Sequence, residues 1–252
     1  MDEQNQTLSR KERRDLKREQ KLEKRSQEQK SRTVRRVGLW GGVIVAIVFT
    51  VWGLTKLGGN SSGGDGPIAP VDSVTEGDWV SGSSTAKVTL IEYSDLQCPA
   101  CAAAQPVVKQ IEREFANDIS FVYRHFPLTQ IHKNAEESAW AAEAAGKQGK
   151  FFEMRDKLFD FQSSWDDKSD VAEIFATYAE QMGLDKNIFL ADYKSDEVKQ
   201  QVRGDMASGN RAGVNSTPTF FLNGRKLNLK NFSELTALVR QAVEQSKTAT
   251  ST

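Results

Sequence analysis

The sequence predicts an α/β domain with an inserted all-helical subdomain, preceded by a single transmembrane helix. Three observations carry that prediction. An apolar, β-like run (Val88-Thr89-Leu90-Ile91-Glu92-Tyr93) leads directly into Cys98-Pro99-Ala100-Cys101 at the head of a helical pattern. About 80 residues of mainly helical periodicity then separate a second strand from Thr217-Pro218-Thr219-Phe220-Phe221-Leu222, where the chain returns to β. Far upstream, the nineteen residues from Val37 to Thr55 carry no charge.

The formal net charge of zero conceals two opposed parts. Residues 1–36 hold 13 Lys+Arg against 7 Asp+Glu, leaving 21 against 27 for the rest of the chain. Few apolar residues interrupt this basic segment, so it reads as a solvated or frayed helix without a core. Acids dilute its cations and no aromatics interleave them, which argues against nucleic acid as a partner.

At a rise of about 1.5 Å per residue the charge-free run just crosses the hydrocarbon layer of a bilayer. Trp40 and Trp52 stand toward its two ends, where amphipathic rings favour the interface. A core helix would not be apolar all round beside Arg35 and Arg36, and a cleaved signal would have a shorter n-region and an A-x-A-like site. Residues 37–57 are therefore read as an uncleaved signal-anchor helix in contact with membrane lipid. No cysteine follows the run, which excludes a lipoprotein-type N-terminus. Arg32, Arg35 and Arg36 precede the run and only Lys56 follows closely. Positive-inside reasoning then places a single-pass chain in the cell membrane, with a cytoplasmic N-terminus and the cysteine pair outside.

Residues 58–85, opening with Gly58-Gly59-Asn60-Ser61-Ser62-Gly63-Gly64, are read as a flexible tether. Residues 86–246 suffice for one domain with a sizeable core, its helical insertion at about 130–212, and 247–252 read as a disordered tail. Val107, Val108, Ile111 and Phe115 form one buried stripe of the first helix, which Pro106 should kink. Phe121 and Tyr123 alternate against Val122 in a second strand, Ile119 to Arg124, stopped by Phe126-Pro127. An alanine-rich run (Ala135, Ala139, Ala142, Ala145) begins the insertion, and Asp170 and Ser195 are placed to cap later helices. Asn223-Gly224 marks a two-residue hairpin turn into Arg225-Lys226-Leu227, and a closing helix begins near Asn231.

The chemistry centres on the only two cysteines of the chain. With the helix starting at Cys98, Pro99 falls in the first turn, where its missing N–H costs nothing. Cys98 then lies at the positive end of the helix dipole, which favours its thiolate and makes it the attacking sulfur. Cys101 lies on the same face one turn deeper, a spacing that suits a reversible disulfide. Two other readings stand beside this one. The pair could be half of a zinc site completed by His125 and His132, although these are seven residues apart, outside the usual gap of three to five. It could also be a purely structural disulfide, although so short a loop removes little entropy from the unfolded chain. Pro218 reads either as the tolerated first residue of a strand or as a cis Thr217–Pro218 bond beside the cysteines. Glu92, an acid within an apolar strand, is either functional or the water-facing residue of an edge strand.

In their order of strand, Cys-Pro-x-Cys helix, strand, helical insertion, Thr-Pro before a hairpin and final helix, these residues resemble the thioredoxin fold. Within it they resemble the DsbA-like branch of extracytoplasmic thiol–disulfide oxidoreductases, over roughly residues 75–246. The long insertion discriminates, because a simple crossover needs only about a dozen residues. The resemblance implies Cys98 as nucleophile and Cys101 as resolving cysteine, supported by Pro99, Ala100 and a cis Pro218. It implies that Thr217 offers its backbone to an extended substrate peptide, and that Glu92 is the buried acid that tunes the cysteines and relays protons. Pro106 matches the family's helix-kinking proline, whereas His125 and His132 match no catalytic position and read as structural. Ala100 departs from the Cys-Pro-His-Cys of the best-studied oxidase, so the thiolate lacks an imidazole's help. Also implied are cysteine-containing protein substrates, a quinone-linked membrane partner, no cofactor or metal, and a monomer. The expected function is disulfide formation in secreted or cell-surface proteins. A reductase or isomerase of the same fold, or a tethered peptide-binding module with a structural disulfide, are the alternatives.

Overall fold

The computed structural model describes residues 71–249. The basic segment, the charge-free run, the glycine-rich start of the tether and residues 250–252 lie outside them. Among the described residues no helix is long and apolar enough to cross a membrane.

Among the described residues five strands form one mixed sheet: β1 (Trp79–Gly82), β2 (Val88–Ser94), β3 (Ile119–His125), β4 (Thr219–Leu222) and β5 (Arg225–Lys226), in the order β1-β3-β2-β4-β5. Only β2 and β3 run parallel, pairing Val88 with Ile119 through Ser94 with His125. Their crossover is α1 (Pro99–Glu114), as a parallel connection requires. The insertion comprises α2 (Ala135–Lys147), α3 (Phe151–Asp160), a 3-10 turn (Gln162–Ser164), α4 (Ala172–Gln181), α5 (Lys186–Lys194) and α6 (Asp196–Arg211). Helix α7 (Ser233–Thr248) closes the chain and runs into the stretch the sequence assigned to a tail.

Both faces of the sheet are covered, which is why β2 and β3 read as nearly continuous apolar runs. One face carries Leu90, Phe121 and Tyr123 against Cys101, Val108, Phe151 and Val239, and this is the larger core. The other carries Ile91, Tyr93, Val122 and Phe221 against Ala212 and Val214. Strand alternation thus puts Glu92 on the face of the cysteine helix.

Two further boundaries differ from the sequence reading. The tether does not extend to residue 85, because Trp79–Gly82 form an edge strand on β3. The Ser81-Gly82-Ser83-Ser84 composition hides this strand, and only tertiary contacts hold it. The Trp79 ring stacks on Phe151 at 4.6 Å between centroids and 9° between planes. Buried Arg124 fastens the residues before it, with a bidentate pair to Asp78 (2.6 and 2.9 Å) and bonds to the carbonyls of Asp72 and Ser73. The second difference is smaller. Ser195 caps α6 by accepting the Val198 N–H, but α4 starts beyond Asp170, with Val171 at its N-cap.

Candidate active site

β2 ends at Ser94, and the chain turns through Asp95-Leu96-Gln97 into α1. Asp95 shapes this turn: its carbonyl accepts the Cys98 N–H at 3.0 Å and its Oδ1 accepts the Gln97 N–H at 2.8 Å. Cys98 is left as the N-cap of α1, extended at φ −74° and ψ 122°, with Pro99 in the first turn. The N–H groups at this end have no helical partner, and those of Cys101 and Ala100 face the Cys98 sulfur.

Both thiols are free; Cys98 is 7% exposed and Cys101 is fully buried. The Cys98 thiol is lowered to about 5, first by a hydrogen bond from the Cys101 thiol, against the opposing effect of burial. The Thr217 hydroxyl and the N–H groups of Cys101 and Ala100 add to the stabilisation of the thiolate. Burial pushes the Cys101 thiol well above its ordinary value, and the neighbouring Cys98 and the charge of Glu92 push further. The two sulfurs therefore differ in their ease of ionisation. The donors around Cys98, which keeps a small exposure, favour its thiolate, whereas fully buried Cys101 favours its protonated form.

The Thr217–Pro218 peptide is cis, and β4, which follows it, is an interior strand between β2 and β5. The Cys98 thiol donates to the Thr217 carbonyl at 3.5 Å. The buried Thr217 hydroxyl has no other partner, which leaves it to serve the sulfur. Pro99 and Ala100 are exposed above the pair. A cleft of about 590 Å³ runs from Pro218 past Ser216, Leu227, Leu229 and Phe232.

Glu92 is in the middle of the sheet, between Tyr123 of β3 and Phe220 of β4, and has no solvent exposure. Its water-facing reading is thereby excluded. Burial raises its carboxyl to about 7; the Ser94 hydroxyl and the Arg155 cation pull it back, and Glu112 pushes it up. Its oxygens and the hydroxyls of Ser94 and Tyr123 are buried without an aligned hydrogen bond. Arg155, which sequence reasoning missed, reaches in from α3, pairs with Glu112 at 2.8 and 3.2 Å and covers the Phe152 ring.

The two histidines go to different acids. His125 Nε2 is 3.1 Å from Glu143 Oε1, off hydrogen-bond alignment, and its main-chain N–H donates to Asp205. His132 Nδ1 is 2.7 Å from Asp95 Oδ2. Among the described residues no group of three or more His, Cys, Asp or Glu is placed to hold a metal.

Amide side chains tie the turn to the insertion. Gln162 donates to the carbonyls of Leu96 (2.8 Å) and Cys98 (3.2 Å). Gln97 donates to the Asp166 carbonyl and accepts from the Asn134 N–H, and Asn134 in turn donates to the carbonyls of Trp165 and Lys168. A turn-forming Asp before the cysteine helix was a readable signal for Asp95. Nothing in the sequence links it to partners more than thirty residues away.

Residues 74–241 match the thioredoxin family. The chain is similar to the solved structure of BdbD from Bacillus subtilis (20% identity, TM-score 0.61, covering 70% of this chain and 98% of that one). It is also similar to alpha-DsbA1 from Wolbachia pipientis (20%, 0.62, 70% and 96%) and to MdbA, a thiol-disulfide oxidoreductase from Corynebacterium diphtheriae (22%, 0.55, 69% and 94%). Over 159 residues it is 38% identical to Na(+)/H(+) antiporter NhaA 1 of Salinispora arenicola, covering 63% of this chain and 23% of that protein. Over 195 residues it is 35% identical to Na(+)/H(+) antiporter NhaA of Herminiimonas arsenicoxydans, covering 74% and 30%. The chain thus spans between 23% and 30% of the length of these relatives. With the match running from the residues before β1 into α7, this chain belongs to the thioredoxin family and has the fold of its DsbA-type thiol–disulfide oxidoreductases.

Proposed function

We propose that the chain forms disulfides in cysteine-containing proteins outside the cytoplasm, working as a monomer tethered to the cell membrane by residues 37–57. One arrangement carries the reading: Cys98 caps the start of α1, 3.5 Å from the Thr217 carbonyl, among donors that lower its thiol to about 5, while Cys101 one turn on is fully buried and pushed well above its ordinary range. A pair whose outer sulfur is a stable thiolate at neutral pH favours its dithiol form, and a disulfide that is readily reduced oxidises other thiols. The donors around Cys98 supply this stabilisation with Ala100 in place of an imidazole.

In the forward step a substrate thiolate attacks the Cys98 sulfur of the 98–101 disulfide. A substrate–Cys98 disulfide forms, and Cys101 leaves as a thiolate that takes up a proton, with the Glu92 carboxyl beside it titrating near 7. The substrate's second thiolate then attacks the substrate sulfur of this mixed disulfide, and Cys98 leaves as a thiolate. The pair has gained two electrons, which a quinone-linked membrane partner accepts as the disulfide is restored. The Thr217 backbone and the cleft beside Pro218 give an extended substrate peptide its place. Relatives named as Na+/H+ antiporters carry the matching segment within a much longer chain, which fits a domain that works at a membrane.

The test is the equilibrium reduction potential of the pair, measured on the detergent-solubilised full chain in glutathione buffers. A value near about −120 mV supports disulfide donation, and one near about −270 mV reverses the assignment to a reductase.

A further inference from the structure

Asp95 makes main-chain contacts to both cysteines, and its side chain is held from another loop. Its side chain has no solvent exposure. Three donors converge on its carboxylate: Gln97 N–H on Oδ1 at 2.8 Å, and on Oδ2 the Leu128 N–H at 2.8 Å and His132 Nδ1 at 2.7 Å. Its main chain serves the cysteines directly, since its carbonyl accepts the Cys98 N–H at 3.0 Å and its N–H faces the Cys101 sulfur. Leu128 and His132 both belong to the segment after β3. A buried carboxylate is stable only when its lone pairs are occupied. Loss of the imidazole leaves Oδ2 with a single donor, and the turn that starts α1 loses its anchor.

We propose that Asp95, held by His132, is a positioning residue for the Cys98–Cys101 pair. The dyad sets the turn that aims the first N–H groups of α1 at the Cys98 sulfur and the Asp95 N–H at that of Cys101. The proposal rests on the redox reading above. It assigns His132, which the sequence left as merely structural, to the second layer of the site. His132 is suited to this because its side chain is 15% exposed; its replacement disturbs little besides the bond to Asp95.

The test measures the thiolate pKa of Cys98 on the reduced full chain, from the pH dependence of its alkylation rate, together with the reduction potential. His132→Leu removes the donor, and the expected result is a rise of about one pH unit in the Cys98 pKa, tenfold in thiolate at low pH, with thermal unfolding still cooperative. His132→Asn places an amide N–H where Nδ1 stood and is expected to restore the parent value, whereas His132→Gln, whose donor reaches further, is not. Should His132→Leu fail to fold, the Asn and Gln variants decide between them. A folded His132→Leu with the parent's thiolate pKa and potential overturns the proposal, as do equal values in the Asn and Gln variants. A parent chain with no acidic thiol overturns the redox reading itself, and is told apart because it needs no variant.

Discussion

The Cys98 sulfur and the Thr217 carbonyl oxygen are 3.5 Å apart, although 119 residues separate them along the chain. The turn before β4 thus closes the site that the start of α1 opens, and it brings a buried hydroxyl with no other partner. Thr217→Val removes that hydroxyl and keeps the branched shape. The Cys98 thiol is expected to rise from about 5 by roughly half a pH unit to one, since one of several donors to the thiolate is lost. Alkylation rate against pH checks this; an unchanged profile would mean that the hydroxyl does not serve the sulfur.

The reduced protein should be more stable than the oxidised one at about pH 8. The sign follows from linkage. Cys98 titrates near 5 in the folded chain and at 9.0 ordinarily, so its contribution is fully present above the ordinary value and is lost as the pH falls through 5. The disulfide form has no thiolate and no such contribution. Thermal unfolding of both forms across this range is expected to show a gap that closes toward pH 5, and a gap independent of pH would contradict the assignment.

Glu92 acts in the opposite sense. Its carboxyl is raised from 4.5 to about 7 in the folded chain, so folding holds an extra proton between those values and stability falls as the pH rises through them. The loss amounts to about 3 kcal/mol at about 1.4 kcal/mol per unit. Glu92→Gln is expected to be more stable than the parent at about pH 8 by up to that amount and to slow the Cys101 step of exchange. Asp205 is also raised, from 3.8 to about 7, so part of the pH slope survives in the variant. Urea unfolding at two pH values, on parent and variant, isolates the Glu92 share; identical slopes would remove it from this role.

Gly146 and Gly204 should respond oppositely to alanine. A Cβ at Gly146 would stand 2.3 Å from the Trp79 ring, which is already stacked on Phe151. Gly146→Ala is expected to cost about 1–3 kcal/mol by pushing β1 outward. A Cβ at Gly204, on the open side of α6, meets nothing within 4 Å, and Gly204→Ala is expected to stabilise by about 0.5–1 kcal/mol. Denaturant midpoints of the two variants give the comparison, and a neutral Gly146→Ala would show that β1 is loosely held.

The cysteine helix, the second strand, the hairpin at Asn223-Gly224 and the closing helix were legible because each is specified locally. Cys-Pro at a helix start, alternation around Val122, and a residue of positive φ followed by glycine at the turn are statements about neighbours in sequence. The pair Cys98 and Cys101 was legible for the same reason. β1 was not, because Trp79–Gly82 takes its stability from β3 and Phe151, and its own composition is that of a linker.

Sequence by itself determined the periodicities, the caps such as Ser195, and the placing of two sulfurs one helical turn apart behind a proline. These depend on interactions within a few residues, whose energies the local chain already contains. Only the tertiary structure decided how those sulfurs differ. The burial of Cys101, the occupation of Cys98 by donors from Thr217, the enclosure of Glu92 between Tyr123 and Phe220, and the grip of His132 on Asp95 all arise from contacts between residues far apart in sequence, from 31 (Glu92 and Tyr123) to 128 (Glu92 and Phe220). Desolvation and hydrogen bonding at such range depend on what the folded chain brings together, and no local pattern of residues specifies that.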